Sequence, residues 1–230
     1  CMQKREFLRG TAGVVLGTII AGCQTNRSSM EFFIAGNNGA SSVDNEALDD
    51  WLDRNADGEL TDTEREDIYF MREEEKVARD VYLTLYDEWG LQVHDNISES
   101  EQSHMDAMLS LIEVYNLDDP ATDTVGAFTN PELQELYDTL VDWGLESELD
   151  SLKVGCRVEE KDIRDIQIRI DRTDEETIET VYENLVKGSR NHLRAFYRVL
   201  TRQGGDYEPI IISQEKFDDI VNSDWETGKA

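Results

Sequence analysis

The chain has 230 residues, of which 51 are Asp or Glu and 22 are Lys or Arg, so its formal net charge is -29. A surface this negative repels phosphate backbones and anionic lipid headgroups, which argues against nucleic-acid binding and against polybasic docking at membranes. Hydrophobic residues make up 39% of the chain, enough for one core-forming domain. The acidic residues are spread over nearly every predicted helix, as is typical of a folded surface adapted to high salt, and we predict a halophilic source.

The first 22 residues have the pattern of an export signal. Basic residues within the first nine positions precede an apolar stretch over 11–21 that is too short to span a bilayer. The string KREFL resembles a twin-arginine signal with Lys in place of the first Arg, and IAGC, ending at Cys23, matches a lipoprotein processing site. We therefore predict an extracytoplasmic, cell-surface or envelope protein that is held to the membrane only by a lipid anchor at Cys23.

Composition and periodicity divide the rest of the chain into four segments. Residues 23–46, rich in Ser, Asn and Gly, are predicted to be a tether, and 47–64 a short helix with a calcium loop. Residues 63–207 are predicted to form the helical domain, and 208–230 a C-terminal extension. Cys156 is the thiol left in a processed chain, so no intramolecular disulfide is predicted.

Helical periodicity predicts an all-α fold. Four long helices are expected, at about 63–89, 96–116, 146–171 and 174–202. Asn96 is predicted to cap the second helix and Gly90 to end the first, while Pro131 and Gly144 bracket a shorter helix. Short connections join the helices within each pair, and a long one joins the pairs, which predicts two antiparallel hairpins linked by a crossover that carries the short helix.

Each long helix has an apolar stripe that is interrupted near its middle by Glu or His. The interruptions are Glu75 in the first helix, Glu101 and His104 in the second, Glu159 in the third and His192 in the fourth. Buried carboxylates and imidazoles are costly unless they are paired or metal-bound, so their convergence at one depth predicts two metal ions bridged by glutamates. Cys156, one turn before Glu159, is assigned to the core, with a thiolate ligand as the alternative. His94 is predicted to be exposed, in the connection before the second helix.

Five strings of the sequence together match one family. They are MREEEKVARDVYLTLY, NISESEQSHMDAM, GAFTNPELQELYDTL, VGCRVEEKDIRDI and NLVKGSRNHLRAFYRVL. They resemble the ferritin-like family known as domain of unknown function 2202, over about Thr63 to Tyr207. The resemblance implies a ferritin-like four-helix bundle with a di-iron carboxylate site, in which one helix of each pair supplies Glu and the other supplies E-x-x-H.

The ligands that the resemblance implies carry over at five positions, Glu75, Glu101, His104, Glu159 and His192. The fourth helix departs from the pattern, because Ser189 replaces the Glu expected three residues before His192. Two alternatives follow from this departure. Either Asp162, one turn after Glu159, supplies the missing carboxylate, or the site holds one metal tightly and one weakly.

A calcium-loop pattern precedes the first long helix. The string DRNADGELTDTE places Asp53, Asn55 and Asp57 at loop positions 1, 3 and 5, a glycine at 6, and Glu64 at 12. With the carbonyl of Glu59 at position 7, this is the ligand register of an EF-hand. No second such loop accompanies it in the sequence, so a structural calcium site is predicted rather than a cooperative sensor.

Three functions remain open at this point. The first is a redox enzyme of ferroxidase or peroxidase type, which binds iron or another transition metal and reacts with oxygen or peroxide. The second is a non-catalytic envelope protein that is stabilised by metal and calcium, and the third is a calcium-dependent adhesion module. All three are compatible with a homo-oligomer.

Overall fold

A computed structural model of the chain describes residues 31–56 and 58–228. The predicted export signal and Cys23 lie outside these residues. In chain order the elements are β1 (Phe33–Ala35), β2 (Ser41–Val43), α1 (Asn45–Asn55), α2 (Asp62–Trp89), α3 (Gln92–Val114), α4 (Pro131–Gly144), α5 (Glu148–Ile170), α6 (Glu176–Arg202) and α7 (Gln214–Asn222). The predicted helical fold is confirmed, with two short strands added to it. Within the described ranges, no helix combines the length and apolar composition that a membrane span requires.

The four long helices form two hairpins around one core. Arg72 of α2 donates to the carbonyl of Met105, and Tyr82 packs against His94 near the other end, so α2 and α3 run antiparallel. In the same way, α5 and α6 are the second pair, and the two pairs meet through contacts of α3 with α6 and of α2 with α5. Gly90, in the left-handed region at φ 64°, ends α2 as predicted.

Two predictions about the start of α3 are wrong. The helix begins at Gln92 rather than Asn96, because Gly90 reverses the chain so tightly that a new helix follows almost at once. Asn96 therefore lies inside the helix and does not cap it. His94 falls in the first turn and is fully buried, where it forms a 3.1 Å hydrogen bond with Ser151 and packs against Phe196.

The predicted tether over 23–46 is also wrong, for the part of it that the structure describes. Residues 33–43 form an antiparallel hairpin in which Phe33 pairs with Val43. Phe32, Phe33 and Val43 are buried, and the backbone N–H of Phe32 donates to Asn184 Oδ1 of α6. Burial of these apolar side chains offsets the entropy lost in ordering the segment, so the hairpin is part of the domain.

The crossover between the hairpins is fastened to α2 by a buried ion pair. Lys76 and Asp80 are paired and fully buried. Lys76 also donates to the carbonyl of Thr124 at 2.9 Å, and Asp80 accepts the N–H of Gly126 at 2.9 Å. The ammonium lies 4.5 Å from the centre of the Phe128 ring. A single turn of α2 thereby fixes the loop that leads to α4.

Candidate metal centre

Six predicted ligand side chains meet in the middle of the four long helices. Each of them is at most 1% exposed. Glu75 comes from α2, Glu101 and His104 from α3, Glu159 and Asp162 from α5, and His192 from α6. Within α3 and within α5 the two side chains are three residues apart, which places them on the same face of the helix.

The first group of donor atoms consists of Glu101, His104 and His192. Their ligand atoms all lie within 4.8 Å of one another. Glu101 Oε2 is 2.9 Å from His104 Nδ1, and Glu101 Oε1 is 2.8 Å from His192 Nδ1. Glu159 stands beside this group, with its Oε2 atom 3.5 Å from His192 Nδ1.

The second group consists of Glu75, Glu101 and Asp162, whose ligand atoms also lie within 4.8 Å of one another. Glu75 Oε2 also accepts a hydrogen bond from His104 Nδ1 of the first group, at 3.2 Å, so the two groups are in contact. Glu101 belongs to both groups. The carboxylate with one oxygen near each histidine is therefore also the one that the two groups share.

Many of the atoms in these groups that could bind a metal are buried and have no hydrogen-bond partner. They are Glu75 Oε1, both oxygens of Glu101, His104 Nε2, Glu159 Oε2, Asp162 Oδ2 and His192 Nδ1. Glu101 and His192 approach to 2.8 Å but are not aligned for a hydrogen bond. Two ligands that bind one ion at right angles, each about 2.1 Å away, lie about 3 Å apart. The spacing and the misalignment both fit donor atoms aimed at a common cation.

Comparison with known proteins places the chain in a family. The family model described as "Uncharacterized protein domain (DUF2202)" matches residues 64–224. The chain belongs to the DUF2202 family. It is 52% identical over 170 residues to "Uncharacterized protein MJ0754" of Methanocaldococcus jannaschii, a match that covers 74% of this chain and 92% of that protein.

The same relative has a solved structure that resembles this one. The crystal structure titled "hypothetical protein MJ0754" from Methanococcus jannaschii superposes with a TM-score of 0.72, at 52% identity. The superposition covers 74% of this chain and 97% of that one. All six side chains of the centre fall within the residues that the DUF2202 model matches, whereas the N-terminal hairpin precedes them.

Burial raises the pKa of three carboxyl groups in the DUF2202 centre. The pKa of Glu75 rises to about 8, because the group is removed from water and His104 offsets only part of that cost. The pKa of Glu159 rises to about 7 through burial and the nearby charge of Glu101. Burial, followed by the charge of Glu75, raises the pKa of Asp162 well above its ordinary value. Without a cation, these carboxyls hold protons near neutral pH.

Glu101 differs from the other carboxyl groups. Burial raises its pKa, but the adjacent charges of His192 and His104 outweigh burial and hold it well below the ordinary range. Conversely, burial lowers the pKa of both imidazoles, but the charge of Glu101 outweighs burial. It raises the pKa of His104 to about 10 and the pKa of His192 to about 9. Two imidazolium ions thus flank one central carboxylate when no metal is bound.

Residues that sequence analysis did not assign to the site hold its ligands in place. Ser41 Oγ is 2.9 Å from His192 Nε2, and it comes from β2 of the hairpin. The Tyr82 hydroxyl donates to Glu159 Oε1 at 2.5 Å. Gly188 makes room for His104, because a Cβ at this position would lie 2.5 Å from His104 Nε2.

The structure also locates the three residues whose roles the sequence left open. Ser189 donates its hydroxyl to the carbonyl of Leu185 in its own helix, at 3.3 Å. Asp162, by contrast, lies among the donors of the second group. Cys156 is buried in the core, and burial followed by the charge of Glu159 raises its pKa well above the ordinary value, so it stays a neutral thiol.

The predicted calcium loop lies between α1 and α2, in a helix–loop–helix arrangement. Asp53 and Asn55 are in the last turn of α1, and Glu59 is exposed in the loop. Glu64 is already engaged, since its carboxylate accepts hydrogen bonds from Thr61 and Thr173. Asp57 lies outside the described residues, and calcium binding stays a prediction.

We expect Ser41→Ala to weaken metal binding by 10- to 100-fold, in line with about 10- to 100-fold losses on removal of outer partners of ligating histidines. When the Nε2–H of His192 donates to Ser41, the Nδ1 atom beside Glu101 keeps its lone pair for a metal ion. Loss of the Ser41 hydroxyl frees the ring to rotate away from this position. Competition against a chromophoric chelator measures the affinity. Ser42→Ala, the same change one residue on, should keep the wild-type affinity, and equal affinities for both variants would refute this role.

The stabilisation that metal gives the DUF2202 domain should grow with pH. Glu75, with a pKa of about 8 against an ordinary 4.5, destabilises the metal-free fold as pH rises between these values. His104, whose pKa is raised from 6.5 to about 10, stabilises the fold below pH 6.5, and this stabilisation is lost as the pH rises toward 10. A bound cation replaces the protons. Tm measured with cobalt and with chelator should therefore diverge from pH 5.5 to 8.5, and a constant difference would contradict the assignment.

Proposed function

We propose that this protein is a ferritin-like four-helix protein that binds two transition-metal ions, iron foremost, in the middle of its bundle. The observation that carries the proposal is the convergence of buried carboxylate and imidazole atoms that lack hydrogen-bond partners. Such groups are costly to bury without a counter-charge, and mixed oxygen and nitrogen donors suit iron, manganese or zinc. The family resemblance supports iron in particular.

In this proposal each ion has its own donors and one that is shared. Glu101, His104 and His192 would hold the first ion, with Glu159 beside them. Glu75, Glu101 and Asp162 would hold the second. Glu101 reaches both groups, as a bridging carboxylate must. Asp162 of α5 would take the place of the Glu that the resemblance implies at Ser189.

The activity that we propose is iron oxidation or the reduction of oxygen or peroxide. Iron at this centre would supply the electron exchange with these small oxidants. The surrounding residues would orient the ligands and exclude water, because Tyr82 holds one oxygen of Glu159, Ser41 holds His192 and the core closes around them. Binding of the ions would displace the protons that Glu75, Glu159 and Asp162 hold in the metal-free protein.

Oxygen or peroxide consumption tests the redox activity. Protein loaded anaerobically with ferrous iron should consume either oxidant faster than Glu101→Ala does. Glu99→Ala, an exposed change two residues earlier on the same helix, is the control and should match wild type. If Glu101→Ala is as fast as wild type, the redox proposal fails.

The second candidate is a structural metal site, and the complete burial of all six side chains favours it. On this proposal the ions hold the bundle together without turnover. Chelation would then lower Tm sharply, while loaded protein would consume neither oxygen nor peroxide. Melting and oxidant consumption, measured on the same preparation, therefore separate the two candidates.

We also propose that the protein binds calcium and is attached outside the cytoplasm through Cys23. For calcium, the support is the EF-hand register together with the helix–loop–helix arrangement in which Thr61 caps the start of α2. Asp53→Ala should abolish calcium binding in a titration, whereas Asp49→Ala, exposed and outside the register, should not. For the anchor, Cys23→Ala should release the protein from membranes of cells that express the full chain.

A further inference from the structure

A cavity of about 310 Å³ lies beside the candidate metal centre, between α2, α4 and α5. Its walls are mainly apolar. They are formed by Val77, Leu136, Leu140, Trp143, Val158 and Ile211. This is the size and lining of a site for a small organic molecule, since such sites are about 300–1,000 Å³ and mostly hydrophobic.

Asp162 connects this cavity to the metal centre. It lines the cavity, and it also belongs to the donor group with Glu75 and Glu101. The other five side chains of the centre are not among the residues that line it. A molecule in the cavity would therefore approach the proposed second ion from the Asp162 side.

The charged groups around the cavity indicate which polar atom a ligand would carry. The three cations that line the cavity are already engaged: Lys161 contacts Glu74 and Asp165, Arg164 contacts Asp165, and Arg157 contacts Glu160 and Tyr207. Asp162 is assigned to the second ion, and Glu74 Oε2 is the buried oxygen of the cavity wall that has neither a hydrogen-bond partner nor a place in a metal group. The unused capacity is thus on a carboxyl oxygen, which favours a hydrogen-bond donor over an anion.

We propose that this cavity is a binding site for a small apolar organic molecule that carries a hydroxyl group, such as a phenol, with the hydroxyl directed at Glu74. The assignment rests on the proposed metal centre, because the bound molecule lies against Asp162, a ligand of the proposed second ion. The apolar walls select the ring, and the Glu74 carboxyl group selects the hydroxyl.

The test uses 4-methylphenol as the probe and cobalt-loaded full-length protein. Saturation-transfer NMR should detect binding, with Kd on the order of 1 mM, and the probe should alter the visible absorption bands of cobalt. Leu136→Trp, at a half-buried position in the wall, should fill the cavity, weaken binding by at least about ten-fold and abolish the spectral change. Leu109→Trp, a half-buried leucine on α3 outside the cavity, is the matched control and should behave like wild type.

The cobalt content of each preparation separates the two proposals. Equal cobalt in wild type and both variants, with probe binding lost only in Leu136→Trp, is the expected result. When cobalt is retained, any of three results overturns this inference. They are a wild type that fails to bind the probe, a Leu136→Trp variant that binds it equally well, and binding that leaves the cobalt spectrum unchanged. Should wild type bind no cobalt, the metal centre itself is refuted, whatever the probe does.

Discussion

Glu101→Gln is expected to remove both metal ions from the protein. Glu101 is the one side chain that belongs to both donor groups, and its oxygens lie 2.9 Å from His104 and 2.8 Å from His192. The amide has nearly the same shape but no negative charge, so two buried histidines and two cations lose their central counter-charge. The transition-metal content, measured after loading and desalting, should fall from two ions per chain to none.

Two further variants show whether the loss is specific to the shared position. Glu99→Gln makes the same chemical change at an exposed position of α3 and should retain both ions. Glu75→Gln removes a donor of the second group alone and should retain the ion held by Glu101, His104 and His192. If Glu101→Gln kept two ions, the carboxylate would not bridge them and the assignment of donors would be wrong.

Lys76→Met is expected to destabilise the metal-free fold by about 1–3 kcal/mol, the cost of leaving buried polar groups without their hydrogen-bond partner. The variant deletes the ion pair with Asp80, which keeps Arg79 at 2.7 Å as its other cation, and it deletes the hydrogen bond to the carbonyl of Thr124. The crossover then loses its attachment to α2. Urea unfolding with chelator present measures the change in the free energy of unfolding without any contribution from metal.

Lys153→Met is the matched control for this prediction. Lys153 pairs with Asp150, but the two side chains are 33% and 21% exposed, so water competes for both charges. Exposed pairs of this kind contribute about 0–1 kcal/mol. A loss at Lys76 no larger than the loss at Lys153 would show that the buried pair does not hold the crossover.

The long helices could be predicted because their signals are local. The left-handed Gly90 and the Pro131 start lie where the sequence placed them. The centre could be predicted for a similar reason, since Glu or His in the middle of an apolar stripe must be buried once the stripe is. Register within one helix therefore placed Glu101 and His104 on the inner face before any contact between helices was known.

The remaining features depend on contacts that no local pattern encodes. Strands of three residues are too short to show an alternating pattern, and Ser41 reaches His192 across 151 positions of sequence. His94 is buried because the turn at Gly90 is tight, a matter of backbone geometry. Whether Asp162 reaches the centre could not be predicted either, because the direction of its side chain depends on how α5 packs against the other helices.

Anomalous diffraction from crystals of the cobalt-loaded protein, recorded on both sides of the metal absorption edge, tests the central claim most directly. Two peaks are predicted on either side of the Glu101 carboxylate, one within bonding distance of His104 and His192 and the other of Glu75 and Asp162. Loaded crystals with no peak among these side chains, or with the carboxylates turned away toward solvent, would contradict the metal centre and the function proposed for it.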